Sequence, residues 1–200
     1  DAAPSDATQS NSVGITNDAA ALTDLTVGGT VHDVAANAVP LLKNVTLTGA
    51  IGDITMSTLV KLESLAIGTS HIEGASASTL VVTANPILTS VAPTSMSEVK
   101  EIEIQNNTKL TSIDFSVLTV LPTGSATISA TFDNNALSGT YVNAVAATET
   151  TPYVDTVIKS DDILSLKPYL DAATASTTNT PAFNFDIGAV VVGSSAAATL

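Results

Sequence analysis

The sequence predicts a mainly β protein: a parallel β-solenoid of about six coils, followed by a short C-terminal helix and a strand cap. The first observation behind this fold class is a repeat whose copies are evenly spaced along the chain. Its copies are Leu22-x-x-Leu25-x-Val27, Leu42-x-x-Val45-x-Leu47 and Leu62-x-x-Leu65-x-Ile67. A period of this length is typical of solenoids, in which each coil buries its apolar face only by stacking on the next coil.

Composition is the second observation. Hydrophobic residues make up 44% of the chain, but aromatic residues only 4%, and there is no Trp. Ala, Val, Leu and Ile therefore supply the core, and small or β-branched residues suit thin, repetitive β-layers.

Residues 1–20 are interpreted as an N-terminal leader with one short strand near Val13-Gly14-Ile15, which would cap the first coil. Residues 21–144 are interpreted as the solenoid domain, because apolar and polar residues alternate within each predicted strand. The six strands centre on Leu25, Val45, Leu65, Leu80-Val81-Val82, Ile102-Glu103-Ile104 and Ile128-Ser129-Ala130.

A second repeated element follows the fourth and fifth strands. Its copies are Asn85-x-x-Leu88-x-Ser90-Val91 and Asn107-x-x-Leu110-x-Ser112-Ile113. We expect each Asn to end its strand and to bond backbone groups of the turn and of the neighbouring coil. Gly28-Gly29, Gly49, Gly68 and Gly74 are predicted to supply turns with positive φ.

Residues 145–200 are interpreted as a C-terminal cap or as the start of a second small domain. Ser160 as N-cap, with acidic residues in the following turn, predicts a short helix over residues 160–166 that Pro168 ends or kinks. The alternation from Ala182 to Ile187 predicts a strand.

The stretch Val99-x-x-Ile102-x-Ile104-x-Asn106-Asn107 resembles the leucine-rich repeat, LxxLxLxxN. It is closer still to the irregular repeats of receptor L-domain-like and bacterial surface leucine-rich proteins, and the resemblance covers about residues 22–144. It implies a sheet face that recognises glycan or protein. The coils at Val27 and Leu47 have Gly-rich turns where the family has Asn, so a flat β-helix-like stack stays open beside a regular horseshoe.

Charge and composition exclude several classes of function. Six basic and nineteen acidic residues give a net charge of -13, which argues against nucleic acid as a partner. The absence of cysteine excludes disulfides and thiolate chemistry, and no apolar run is long enough to predict a membrane span. A Thr/Ser/Ala-rich, cysteine-free chain that begins at Asp1 favours an exported protein, extracellular or at the cell surface, with its signal peptide removed, or else a fragment of a longer polypeptide.

Asp33 and Asp53 are the candidate ligand residues. The repeat places them on neighbouring coils about 5 Å apart, where a Ca²⁺ ion would relieve their repulsion. The competing interpretation is two solvated turn carboxylates that splay apart. His32 and His71 are interpreted as surface histidines, and no catalytic residue and no cofactor other than this Ca²⁺ is predicted.

These observations favour a non-catalytic structural protein: a surface, matrix or filament subunit or an adhesin module that assembles through solenoid ends and edges. Its partners would be copies of itself or other surface proteins. The alternative is an extracellular binding module that recognises glycan or protein on the sheet face. Tyr141, Tyr153 and Tyr169 all lie outside the repeat strands, which favours the structural role because sugar-binding faces usually display aromatic rings.

Overall fold

The computed structural model describes residues 11–70, 78–122, 127–137, 141–142, 157–158, 165–176 and 180–186. This part of the chain is mainly β structure wound as a parallel solenoid, with one short helix. The strands are β1 Ser12–Ile15, β2 Asp24–Val27, β3 Thr30–Asn37, β4 Asn44–Ser57, β5 Ser64–Ser70, β6 Thr79–Thr83, β7 Ser90–Val91, β8 Glu101–Gln105, β9 Ser112–Ile113, β10 Thr127–Asp133, β11 Tyr141–Val142, β12 Val157–Ile158 and β13 Thr180–Asp186, and the helix is α1, Lys167–Ala175.

Nine of the described strands form one sheet that wraps around the core. Strands β1, β3, β4, β6, β8, β10 and β13 follow one another in that order, and each adjacent pair is parallel. The long strand β4 turns a corner: its first half lies between β2 and β5, and its second half between β3 and β6. Strands β7 and β9 pair in parallel, and β11 and β12 pair antiparallel.

The predicted stacking of the evenly spaced repeat is confirmed. Val27 is the register partner of Leu47, and Leu47 is the register partner of Ile67. All three side chains are buried. Because the spacing of the repeat equals one turn of the chain around the solenoid, each apolar residue lies directly over its equivalent in the previous coil.

The solenoid has about four turns, so the predicted count of six coils is wrong. The sequence pattern assigns Leu65 and Leu80 to separate coils, but they lie on two faces of one turn. Leu65 in β5 stacks on the first half of β4, whereas Leu80 in β6 pairs with the second half. A turn carries a strand on more than one face, so the number of apolar strands exceeds the number of turns.

Two columns of apolar side chains run across the strands on the longer face of the sheet. Each column contains one residue from every strand, or rung, of that face. Their members in β3, β4, β6, β8 and β10 are at most 2% exposed. Full burial of one such aliphatic side chain stabilises the fold by about 1.5–3 kcal/mol. The columns are Val34, Ile54, Leu80, Ile102 and Ala130, and Ala36, Met56, Val82, Ile104 and Phe132.

A sharp corner follows this face directly after β3, β4, β6, β8 and β10. The corner residue has positive φ, between 50° and 57°, although it is never glycine. A buried Asn follows directly in the last three corners, at Asn85, Asn107 and Asn135. The corner residues are Ala38, Thr58, Ala84, Asn106 and Asn134.

These three buried asparagines form a ladder that joins successive corners. The Asn107 Oδ1 atom accepts the backbone N–H of Asn85 at 3.0 Å, and Asn107 Nδ2 donates to the carbonyl of Val82 at 2.8 Å. The prediction that Asn85 and Asn107 bond the backbone of the neighbouring coil is thereby confirmed. One coil earlier, Asn85 Oδ1 accepts the N–H of Leu59 and Asn85 Nδ2 donates to the carbonyl of Met56. One coil later, Asn135 Oδ1 accepts the N–H of Asn107 and Asn135 Nδ2 donates to the carbonyl of Ile104.

The described helix α1 lies after the segment predicted to be helical, residues 160–166. Residues 160–164 of the predicted helix lie outside the described residues, and α1 begins at Lys167. Pro168 is in the first turn of α1, and the predicted helix over residues 160–166 stays a prediction. Proline suits that position because its fixed φ matches the helix and its missing N–H would have had no intrahelical partner.

The two outer rungs of the long sheet come from the ends of the described chain. β1 confirms the predicted strand near Val13 and pairs with β3. β13 confirms the predicted C-terminal strand up to Asp186 and pairs with β10 along its whole length. The division into residues 1–20, 21–144 and 145–200 stays a prediction. Within the described part of the chain, no helix is long and apolar enough to cross a membrane.

Gly49→Ala is expected to destabilise the fold by about 2–3 kcal/mol, because Gly49 has a φ of 92°. A Cβ atom there would also lie 2.3 Å from the carbonyl oxygen of Gly29 in the previous coil. Urea unfolding followed by circular dichroism measures the loss. Gly14→Ala is the matched control, because a Cβ at Gly14 meets no atom within 4 Å. Equal stability of the two variants would contradict this explanation.

Candidate functional site

The two candidate calcium ligands are brought together as the repeat predicts. Asp33 in β3 and Asp53 in β4 are register partners, on an exposed and a half-buried position. Each carboxylate also accepts a hydrogen bond from a further coil: Ser12 Oγ donates to Asp33 Oδ2 at 2.7 Å, and the Thr79 N–H donates to Asp53 Oδ1 at 2.8 Å. The two carboxylates therefore extend a polar row along the stack.

The geometry limits what this pair can do chemically. Ca²⁺ takes about six to eight oxygen ligands in most proteins. Among the residues that the structure describes, no group of three or more His, Cys, Asp or Glu side chains could hold a metal ion. His32 is exposed in β3, and His71 lies outside the described residues. The calcium site at Asp33 and Asp53 stays a prediction.

The outward side of the long face is acidic. Five carboxylates stand at outward positions of the described strands, and β3, β4, β6, β8 and β10 contain no Lys. A surface of one sign repels partners of the same sign, so this face disfavours polyanions. The outward carboxylates are Asp33, Asp53, Glu101, Glu103 and Asp133.

Two exposed carboxyl groups have lowered pKa values because of hydrogen bonds. The Thr23 hydroxyl and the Asn44 amide, which donate to Asp24 at 2.6 and 2.7 Å, hold the pKa of Asp24 below its ordinary value. The Ser116 N–H lowers the pKa of Asp114 in the same way. A lowered pKa keeps both groups charged at neutral pH. Stability from these bonds is therefore present above the ordinary Asp pKa and is lost as pH falls through the folded-state value.

The first coil presents a partly uncovered core. Val13 and Ile15 in β1 and Leu22 and Leu25 in the following turn pack on the core but are only half-buried by the described residues. Their equivalents one coil further along are buried. We call the half-buried set Val13, Ile15, Leu22 and Leu25 the N-terminal end face.

The C-terminal segment packs against the later coils of the solenoid, and its strand β13 is the last described strand of the long sheet. Ser165 Oγ accepts the N–H of Phe115 at 3.0 Å, and the buried Tyr169 hydroxyl donates to the carbonyl of Val99. Burial raises the pKa of Tyr169, so its hydroxyl stays protonated and able to donate. Tyr169 lies outside the repeat strands as predicted, and its ring is buried instead of displayed.

A groove of about 390 Å³ lies between α1 and the last coil. Leu118, Leu121, Pro168 and Ala172 line it, together with Tyr169 and the hydroxyl groups of Ser116, Thr119 and Ser165. The lining therefore offers aliphatic and aromatic contact surface together with hydroxyl groups.

Sequence reasoning missed several residues that organise these surfaces. Asn135 completes the ladder, and its signal was the doublet Asn134-Asn135, which repeats the doublet Asn106-Asn107. Ser12 and Thr79 carried no signal, because their partners depend on which strand lies beside β3 and β4. Ser165 was equally invisible, since its bond to Phe115 spans 50 residues of chain.

No protein-family model, no curated protein and no solved structure matches this chain.

Proposed function

We propose that this chain is an exported, non-catalytic structural protein, a surface, matrix or filament subunit or an adhesin module, whose copies join through the ends and edges of the solenoid. The observation that carries the proposal is the pairing of the outermost strands. Among the described strands, β1 pairs only with β3, and β13 pairs only with β10. A strand with one neighbour presents N–H and C=O groups to a further strand, and copies of a solenoid are natural donors.

Composition supports the location outside the cell. The chain has no cysteine, 4% aromatic residues and a net charge of -13. Strong net charge keeps a surface protein soluble until neighbours screen or neutralise it.

The asparagine ladder supports a relationship to leucine-rich or L-domain-like repeats. In LxxLxLxxN the Asn follows the last strand leucine by three positions. Asn107 follows Ile104 by three positions, and Asn85 follows Val82 in the same way. The corners that precede this ladder carry Val39 and Leu59 instead of Asn, so the relationship is proposed for the second half of the solenoid.

Electron microscopy and sedimentation velocity on the purified chain test the structural role. We expect ordered polymers whose length grows with protein concentration. Added NaCl is expected to promote them, because raising ionic strength from about 0.01 to 0.15 M shortens the Debye length from about 30 to 8 Å and screens repulsion between acidic copies.

A chain that stays a monodisperse monomer at every concentration and salt level would contradict the proposal. That result would favour the alternative, an extracellular binding module that recognises glycan or protein on the sheet face. Titration with immobilised glycans would then follow.

A further inference from the structure

The two ends of the long sheet are ends of the same two apolar columns. Val13 in β1 is the register partner of Val34, and Phe183 in β13 is the register partner of Ala130 in the same column. The second column begins at Ile15 and ends at Phe185. By register, the positions of both columns are therefore held by an apolar residue in the first strand of the sheet and in the last.

The first rung is less complete than the interior rungs. Val13 and Ile15 are half-buried by the described residues, whereas Val34 and Ala36 beside them have no exposed surface. Leu22 and Leu25 of the N-terminal end face are half-buried too. One more parallel rung on this side would complete their burial, because each solenoid coil covers the apolar surface of the next.

We propose that β13 of a second copy of this chain supplies that rung, so that copies stack head to tail. This inference rests on the proposed structural role and specifies which two strands join neighbouring copies. Val13 would lie level with Phe183 of the second copy, Gly14 with its Asn184, and Ile15 with its Phe185. Parallel addition keeps the strand direction and register of the whole sheet, so both apolar columns continue from one copy into the next.

The contact joins two different surfaces and leaves one of each available on the resulting dimer. Such a heterologous contact generates open polymers with a direction when successive copies continue the stack along its axis, as the unbroken columns require. A head-to-head dimer through two β1 strands would instead close after two copies and would produce no filament.

The lack of cysteine makes the register directly testable. The double variant Gly14→Cys/Asn184→Cys places one thiol on each side of the proposed contact. Neighbouring parallel strands lie about 4.8 Å apart, within the Cα separation of about 4.4–6.8 Å that disulfides span. Mild oxidation is expected to give a ladder of dimers, trimers and longer species on a non-reducing gel, and reductant should abolish it.

Control variants define the outcomes of this experiment. An equimolar mixture of the two single-cysteine variants should give dimers and no ladder. The pair Gly14→Cys/Thr58→Cys should give no ladder, since Thr58 is an exposed corner residue of a middle coil, away from both ends of the solenoid. Efficient disulfide dimers of Gly14→Cys alone would overturn the proposal in favour of head-to-head pairing.

Val13→Lys tests the same contact without cross-linking. A lysine in the first rung would place an unpaired charge in the apolar column of the contact, and we expect association to weaken by about a hundredfold or more in sedimentation velocity. Ser64→Lys is the matched control, because it adds the same charge at an exposed position of β5. Both variants should keep the circular dichroism spectrum of the unmodified chain.

Failure of the register and failure of the structural role give different results. Polymers of the unmodified chain, together with no cross-linking ladder and normal assembly of Val13→Lys, would overturn the head-to-tail register and leave the structural role standing. A monomeric unmodified chain under all conditions would overturn both.

Discussion

Asn107→Ala is expected to lower the free energy of unfolding by about 3–5 kcal/mol, the largest loss that we expect for one polar side chain here. The side chain is fully buried and bonds two corners at once. Its removal leaves the N–H of Asn85 and the carbonyl of Val82 in the core without their partner. A buried polar group left unsatisfied costs about 1–3 kcal/mol, and the vacated volume adds to the loss. Urea unfolding at neutral pH measures the change.

Two further variants separate the bonds of Asn107 from its volume. Asn107→Asp keeps the shape but replaces the donor Nδ2 with a carboxyl oxygen. We expect it to be strongly destabilised at neutral pH and to recover part of its stability as the pH falls and the carboxyl protonates. Asn44→Ala removes one exposed bond to Asp24 and should cost less than about 1 kcal/mol. If Asn107→Ala were no worse than Asn44→Ala, the ladder would not be a major source of stability.

Ile104→Ala is expected to destabilise the protein by about 3–5 kcal/mol. The side chain has no exposed surface and lies in a column between Val82 and Phe132, with backbone rungs on both sides. Truncation of a buried Ile costs about 2–5 kcal/mol, and the upper half of that range applies where the surroundings cannot collapse into the cavity. Backbone hydrogen bonds fix the distance between neighbouring strands of a parallel sheet, so the strands beside Ile104 cannot move together to fill the cavity.

Glu103→Ala on the same strand is the matched control for Ile104→Ala. Glu103 faces outward on the acidic side of the sheet, so its truncation should change stability by no more than about 0.5 kcal/mol. Thermal and urea unfolding of both variants provide the comparison. Similar losses at positions 103 and 104 would show that the alternation of inward and outward residues along β8 is incorrect.

Local repetition predicted the strand positions and the register of the first coils. The even spacing of the repeat places Val27, Leu47 and Ile67 in one column, because equal spacing along the chain becomes vertical stacking when each coil repeats the same path. The Asn85 and Asn107 motif predicted bonds between coils for a similar reason. A buried amide at a strand end has only the neighbouring backbone to bond.

The number of turns and the presence of helix α1 at Lys167–Ala175 were not accessible in this way. Leu65 and Leu80 have similar patterns, and nothing local distinguishes a new coil from a new face of the same coil. Pro168 is compatible with the end of one helix and with the first turn of another. In the structure Pro168 is in the first turn of α1, and the hydroxyl of the next residue, Tyr169, donates to the carbonyl of Val99. That contact spans 70 residues of chain.

The candidate site was likewise predictable only in part. The repeat alone placed Asp33 beside Asp53, whereas the hydrogen bonds from Ser12 and from Thr79 depend on strands that join the sheet from other turns. The half-buried N-terminal end face was likewise hidden. Val13 and Ile15 have the same alternating pattern as interior strands, and only their place in the stack leaves them uncovered.

Periodicity along the chain is enough to establish a parallel β-solenoid, the residues that face inward and the coils that share a column. These properties are local, since a repeated path converts spacing into contact. Three-dimensional packing was needed to establish how many turns there are, that β13 forms the rung beside β10, and which apolar residues remain at the end of the stack. These properties depend on pairing between segments that are distant in the chain, and the free energy of such pairing comes from contacts that no local pattern encodes.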